Sequence, residues 1–441
     1  MENIFSKYIE TVENSETIKY CGRVFRVQGS LIESRGPRSV VGELCWFNDK
    51  SGRKITAEVI GINNASVQLM AYTDCAGIEA GTLVTASGSC LEIPVSRSLL
   101  GRVIGPLGTP VDGKGGISAT ERRAALSSPP PALSRPVIKK RVVTGIRSVD
   151  ALTPVGMGQR MGVFAGSGVG KSTFQGMIAR NTNADVNVIA LIGERGREVN
   201  DFLENNLGEE GLKKSVVVVS TGDQSAIAQL RGAYTATAVA EYFRDQGLNV
   251  MLLFDSVTRF AYAQREIGLA GGEPPAQRGY PPSVFALMPK LMERAGAAAS
   301  GSITAFYTVL VDGGDMDEPV SDKARSILDG HIVLSRDLAA RGHYPPVDVL
   351  SSISRLASSV SSAADQKAAE AARGFLADYA GAADIINAGA YKAGSSPAID
   401  AAIAKKPQID AFLKQPVYEN SPLEETLQKL REITGIKEPE K

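Results

Sequence analysis

Positions 165 to 172 read Ala-Gly-Ser-Gly-Val-Gly-Lys-Ser, set between the apolar run Met161-Gly-Val-Phe and a helix-like stretch that begins at Thr173. Strand, glycine-rich turn and helix in that order make a phosphate-binding loop. The glycines let successive backbone N–H groups converge on phosphate oxygens, and the dipole of the following helix adds favourable potential. The cradle runs over Gly166, Ser167, Gly168, Val169, Gly170, Lys171, Ser172 and Thr173. Within it Lys171 is placed to meet the β- and γ-phosphates, and Ser172 to offer its hydroxyl to Mg²⁺. Ala165 stands where the strict pattern has glycine, at a position that accepts a methyl group.

Such a loop needs a sheet behind it, and the surrounding sequence supplies one. Apolar runs recur at Val186-Asn-Val-Ile-Ala-Leu-Ile, Ser215-Val-Val-Val-Val-Ser, Val250-Met-Leu-Leu-Phe and Ile303-Thr-Ala-Phe-Tyr-Thr-Val-Leu, with helical segments between them. Near-continuous apolar strands alternating with helices imply a parallel sheet covered on both faces, with ligands beyond the carboxyl ends of the strands. Asp255 closes one of those strands, which is how a carboxylate is placed near Mg²⁺, usually through a water. The segment Gly193-Glu-Arg-Gly-Arg-Glu follows another, ending at Ile192. Phosphate hydrolysis needs a group that orients and polarises the attacking water, and Glu194 is the candidate. Arg195 is placed to neutralise phosphate charge, and Glu198, four residues beyond Glu194, to hold a magnesium-bound water.

Composition narrows the partners. Lysines plus arginines number 48 and aspartates plus glutamates 48, so no net field draws the chain to nucleic acid or an anionic membrane. Cys21, Cys45, Cys75 and Cys90 form no Cys-x-x-Cys pair and sit among strand-like residues, which suits buried reduced thiols and a cytoplasmic setting. The first residues carry no signal-peptide pattern, and no apolar run is long enough to span a bilayer. With only two histidines, His331 and His343, a histidine triad or zinc centre has little material. Hydrolysis therefore falls to carboxylates and metal.

The 441 residues divide by texture into a multidomain α/β chain. Residues 1–19 carry Ile4, Phe5, Tyr8, Ile9 and Val12 on one side of a short amphipathic helix suited to a partner surface. Residues 20–97 turn to short β-branched runs broken by Gly, Asn and Pro, the texture of a small β-barrel. Residues 98–140 are rich in Gly and Pro and read as a linker. The P-loop domain with its mostly parallel sheet occupies 141–358, and 359–441 take the apolar spacing of a helical domain.

Glu241-Tyr-Phe-Arg-Asp-Gln, Phe254-Asp-Ser, Gly279-Tyr-Pro-Pro-Ser-Val-Phe and Tyr344-Pro-Pro-Val-Asp-Val-Leu-Ser-Ser-Ile-Ser-Arg add to Gly193-Glu-Arg-Gly-Arg-Glu. Together they resemble the catalytic heads of rotary ATP synthases, and among these the soluble ATPases of type III export machines. The stretch from Ala165 through Asn181-Thr-Asn-Ala-Asp and the run Leu328-Asp-Gly-His-Ile-Val-Leu-Ser-Arg are most similar to flagellar export ATPases. The resemblance is strong from about 20 to 358 and weak at both termini. It implies a RecA-like central domain, ATP and Mg²⁺ as ligands, and a homo-hexamer. Tyr344 matches the residue on whose ring adenine stacks, while the C-terminal wall of that pocket, near Val417 and Tyr418, is left open. Arg355 matches the arginine that reaches a neighbouring subunit's γ-phosphate. Because Glu194 and Arg355 lie on one chain, a ring of identical copies would complete every site.

The resemblance further implies a stator-like regulatory protein at the N-terminal helix, a coiled-coil stalk in the ring, chaperone–substrate complexes and a membrane export gate. The expected location is cytoplasmic, peripheral to the inner face of the membrane at the flagellar base. Gly314 and Asp317 depart from the family pattern in the 311–319 loop, so whether that loop meets a stalk stays open. Competing readings are a virulence-type injectisome ATPase, a hexameric RNA translocase and a non-catalytic ring subunit. Neutral charge and the single Trp46 argue against the RNA reading, and the presence of both Glu194 and Arg355 against the non-catalytic one.

Overall fold

The computed structural model of the chain describes residues 19–63, 66–311 and 314–437. The amphipathic stripe expected from Ile4 to Val12 lies outside the described residues. The chain forms two compact units: one holds residues up to Leu91 with Gln224–Ala228 and Glu266–Pro274, the other Glu92–Asp223, Gln229–Arg265 and the chain from Pro275 on.

In the first unit β1 (Cys21–Gln28), β2 (Leu31–Arg35), β3 (Glu43–Asn48), β4 (Lys54–Ile62), β5 (Val67–Ala71) and β6 (Leu83–Cys90) close into a barrel. Its strand order is β1-β2-β5-β4-β3-β6, with every pairing antiparallel. Alternation drives closure: Cys45 and Phe47 point into the barrel while Leu44 and Trp46 stay half-buried. Ile32, Ile55, Val59, Leu69 and Val84 complete the filling, so the barrel interior is a packed core. Burial pushes the Cys45 thiol up to about 12, which keeps it protonated and inert. The four cysteines are all unpaired, but Cys21 and Cys90 are exposed, against the expectation of burial. Their positions on outward-facing ends of β1 and β6 account for the difference.

The second unit is built on a sheet of β7 (Arg102–Ile104), β8 (Arg160–Ala165), β9 (Val186–Ile192), β10 (Ser215–Ser220), β11 (Asn249–Asp255), β12 (Ser302–Leu310), β13 (Gly330–Leu334) and β14 (Val347–Ser354). The order across it is β14-β13-β8-β12-β11-β9-β10-β7. All neighbours run parallel except β13 and β14. The apolar runs explain why: every residue of β9 and β10 is buried, as strands covered on both faces require. Strand β7 comes from the segment expected as a linker, which thus also supplies a sheet edge.

Helices α1 (Lys171–Asn181), α2 (Gly196–Asp201) and α3 (Val257–Ala270) follow β8, β9 and β11. After β14 come α4 (Ala363–Asn387), α5 (Pro397–Leu413) and α6 (Leu423–Thr434). These C-terminal helices do not build a separate core. Ala368, Ala372, Leu376, Ile409, Phe412, Leu413 and Leu430 belong to the same apolar cluster as Met161, Phe174 and Ile332 under the sheet. Each large side chain so buried contributes ~1.5–3 kcal/mol. No described helix is long and apolar enough to cross a membrane.

Candidate functional site

The carboxyl ends of β8, β9 and β11 gather the charged groups. At the end of β8 the chain turns through Gly170, whose φ of +91° is left-handed and closed to most side chains, and enters α1 at Lys171. Strands β9 and β11 are direct neighbours, with Leu191 opposite Asp255. That register brings Glu194 and Asp255 to one point. The Lys171 Nζ donates to Glu194 Oε1 at 2.9 Å and to Asp255 Oδ1 at 2.7 Å.

Two carboxylates share one ammonium. Burial works against the Lys171 charge, but Asp255 and Glu194 outweigh it and hold its pKa above the ordinary lysine value. Burial also raises Asp255, which is 2 % exposed; Lys171 opposes this, yet with the like charge of Glu194 added the carboxyl is pushed up to about 6. The proton therefore stays on lysine, and the buried carboxylate is left undercompensated. Glu194 is raised by burial but more strongly lowered by Lys171, by a hydrogen bond with Glu198 and by Arg259, so it remains ionised. Glu198 moves the other way: its hydrogen bond to Glu194, its partial burial and the Glu194 charge hold it above the usual carboxylate range.

An open cleft of about 470 Å³ lies over this cluster. Gly166, Ser167, Gly168, Gly170, Lys171, Ser172 and Thr173 all line it, as do Glu194, Arg195 and Glu198. Val169 differs: its side chain is 2 % exposed and packs into the core, so only its backbone faces a ligand. Arg195, at the start of α2, extends into solvent with 84 % of its side chain exposed and reaches Glu198 at 3.4 Å.

Arg259 is a cleft residue that sequence reasoning passed over. Its stem lies against Gly193, where an added Cβ would come within 2.8 Å of it, so the glycine before Glu194 is what admits the arginine. The Arg259 Nε is buried with no hydrogen-bond partner among the described residues. The signal available was its position in the first turn of the helix that follows Asp255.

Tyr344 stands on the far side of the loop, half-exposed, its ring edge 4.0 Å from where a Cβ on Gly170 would sit. Its carbonyl accepts from the Gln415 backbone N–H at 2.9 Å, which ties the C-terminal segment to the pocket. In that segment Val417 packs on the core, whereas Tyr418 is exposed, lies 5.0 Å beneath the Arg180 guanidinium and donates to the Asn205 carbonyl.

Arg355 is elsewhere. Strand β14 runs antiparallel to β13, with Leu334 opposite Val347 and Gly330 opposite Ser354. Tyr344, just before β14, thus falls at the P-loop end of the sheet, and Arg355, just after it, at the opposite end. The Ser354 hydroxyl accepts from Gln159, the residue before β8, at 3.1 Å. The six residues of β8 place roughly 20 Å of strand, at ~3.3 Å each, between Arg355 and its own P-loop. The Arg355 side chain is exposed and makes no ion pair among the described residues.

Among the described residues no group of three or more His, Cys, Asp or Glu is arranged to hold a metal by itself. The donors present at the cleft are hard oxygens, the Ser172 hydroxyl and the Asp255 and Glu198 carboxylates, beside a cluster with one negative charge in excess. That set fits Mg²⁺ shared with phosphate oxygens and waters.

Comparison with known proteins matches three stretches of the chain. Residues 24–88 match the ATP synthase alpha/beta family beta-barrel domain, 145–354 the nucleotide-binding domain of that family, and 361–432 the T3SS EscN ATPase C-terminal domain. The chain is 54% identical to a flagellum-specific ATP synthase of Treponema pallidum, over 98% of this chain and 97% of that protein. It is 52% identical to that of Bacillus subtilis, covering 98% and 99%, and 46% identical to a type 3 secretion system ATPase of Sinorhizobium fredii, covering 99% and 97%. The solved structure of the assembled ATPase EscN from the enteropathogenic E. coli type III secretion system superposes with a TM-score of 0.89 at 42% identity, covering 94% of this chain and all of that one. The same ATPase in complex with its central stalk EscO superposes with a TM-score of 0.87.

Proposed function

This chain belongs to the ATP synthase alpha/beta family, in its branch of flagellum-specific and type 3 secretion ATPases, and on that premise we propose a mechanism in which identical copies complete one another's catalytic sites. It is an ATP hydrolase serving type III protein export. The flagellar system is the reading we favour, because flagellum-specific relatives reach 54% and 52% identity against 46% for the secretion-system relative.

In the proposed cycle the P-loop N–H groups and Lys171 take the β- and γ-phosphates, Lys171 turning from Glu194 and Asp255 to phosphate oxygen. Released from that ion pair, Glu194 orients the attacking water and polarises it. Ser172 and Asp255 would hold Mg²⁺, with Glu198 on one of its waters; when bound, the ion neutralises charge on the phosphates. Arg195 and Arg259 bring further positive charge to the phosphate side, and Tyr344 offers its ring to adenine. Arg355 serves a neighbouring copy. The observation that carries this assignment is that Arg355 is exposed, free of ion pairs among the described residues, and at the end of the sheet remote from its own P-loop.

The partners follow the same reading: a ring of six, a central stalk such as EscO is for assembled EscN, and, further, a regulatory protein on the N-terminal residues, chaperone-bound cargo, and a membrane export gate approached from the cytoplasm. The test is the ATPase rate per chain against protein concentration. Assembly-dependent sites give a steep rise, and a rate per chain that stays flat from a demonstrated monomer to the ring rules out completion in trans.

A further inference from the structure

Strand β14 is irregular just before Arg355. Asp348 pairs with Val333 and Ile353 with His331, so five steps along β14 are matched by two along β13. The surplus forms a bulge, and bulges re-aim the residues that follow them. This one is knitted by side chains. Asp348 accepts the backbone N–H groups of Leu350 at 3.0 Å and Ser351 at 3.1 Å, and the Ser352 hydroxyl donates to the Asp348 carbonyl while accepting from Val333 N–H.

The remaining tie comes from the C-terminal region. Arg373, half-buried on α4, donates through Nη1 to the carbonyl of Val349 and through Nη2 to the carbonyl of Ser352 at 3.1 Å. Nη2 also donates to the Leu152 carbonyl at 2.8 Å. All these acceptors are neutral, and Arg373 has no carboxylate ion pair among the described residues. Its guanidinium is used for geometry. About two turns earlier on the same helix, Gln366 donates to the carbonyls of Ser358 and Ser361, at 3.1 and 3.0 Å. Helix α4 thus holds the chain on both sides of Arg355 and leaves the Arg355 side chain free.

We propose that Arg373 is a positioning residue for the reaction: by locking the β14 bulge to α4 it aims Arg355 at the neighbouring copy's phosphate site, so the C-terminal helices govern catalysis next door. This rests on the reading of Arg355 as a finger acting in trans. Lysine cannot replace the fork, because one ammonium cannot hold two carbonyls in the fixed geometry of a guanidinium.

The experiment compares full-length rings of the wild type with Arg373→Gln, Arg373→Lys and Asp348→Ala, the last removing the acceptor of the Leu350 and Ser351 N–H groups and so loosening the bulge from its other side. A small misplacement of a catalytic group costs on the order of 10²-fold in rate, so kcat is expected to fall by about ten- to a hundredfold. In the two Arg373 variants the KM for MgATP and the affinity for a fluorescent ADP are expected to stay within about twofold, since the carbonyls that Arg373 holds belong to Val349, Ser352 and Leu152 and none is a P-loop residue. Combined with Arg355→Ala, each variant should add less than about twofold, because residues acting through one group are not additive. Unchanged kcat in both Arg373→Gln and Asp348→Ala, or losses that multiply with that of Arg355→Ala, overturns the positioning role. An Arg355→Ala ring with undiminished kcat instead sinks the finger itself, so the two failures are distinguishable.

Discussion

Tyr344 and Arg355 stand at the two ends of one strand, and the surroundings they occupy are opposites. At the Tyr344 end, Lys171, Glu194 and Asp255 already satisfy one another, and the cleft above them is open for a ligand. At the Arg355 end the backbone is held on either side by Arg373 and Gln366, while the guanidinium itself has no anion among the described residues. One end is a set of charges that, on the proposed reading, is exchanged for nucleotide. The other is an exposed cation that, on the proposed reading, meets the phosphate of a neighbouring copy. On the proposed reading a single copy owns two half-sites that lie at opposite ends of its sheet.

The sharpest way to break that comparison is Arg355→Ala. A trans arginine is worth ~10³–10⁵ in rate, and a loss of that order in kcat is expected while nucleotide binding persists. Mixing this variant with Glu194→Gln protein should restore part of the rate, because a mixed ring holds some interfaces with both groups intact. No recovery in rings proven to be mixed would count against two half-sites on one chain. Glu194→Gln alone comes next: loss of the water-orienting base costs ~10²–10⁴, with ATP still bound. Retained turnover would remove Glu194 from that role.

Asp255 offers a titration of the ligand-waiting end. Its folded carboxyl is raised from 3.8 to about 6, so the unfolded chain releases this proton first. The contribution of this group to stability is then full below the unfolded value and is lost as pH rises toward about 6. The melting temperature of the nucleotide-free wild type, measured against Asp255→Asn, should fall over that window and level off above it. A difference that is flat with pH would mean that Lys171 compensates both carboxylates after all. The smallest effect is expected at Arg195, whose side chain is 84 % exposed. Exposed ion pairs contribute ~0–1 kcal/mol, so Arg195→Ala should leave ATP affinity within about fivefold. A larger loss would show that Arg195 folds over the cleft when nucleotide is bound.

The barrel, the parallel sheet and the meeting of Lys171, Glu194 and Asp255 were legible because each rests on a local pattern: alternation, apolar runs, and a motif at the end of a strand. Other features left no such trace. Arg259 enters the cleft only because Gly193 makes room for it, a contact between segments 66 residues apart in sequence. Arg373 bonds to carbonyl groups, and every residue has a carbonyl, so no residue type marked its partners. The wall near Val417 and Tyr418 divided according to packing, with Val417 turned to the core and Tyr418 toward Arg180. The C-terminal helices likewise had the right periodicity, but periodicity does not say whose core a helix will share.

By itself the sequence singled out the residues proposed to meet phosphate and to assist hydrolysis, since a glycine-rich turn between strand and helix has few conformations and one chemistry. Only the tertiary structure decided that Arg355 lies far from its own P-loop. That depends on β14 lying antiparallel on β13, with Gly330 opposite Ser354. Strand direction and register are set by pairing between distant segments, and no local pattern encodes them.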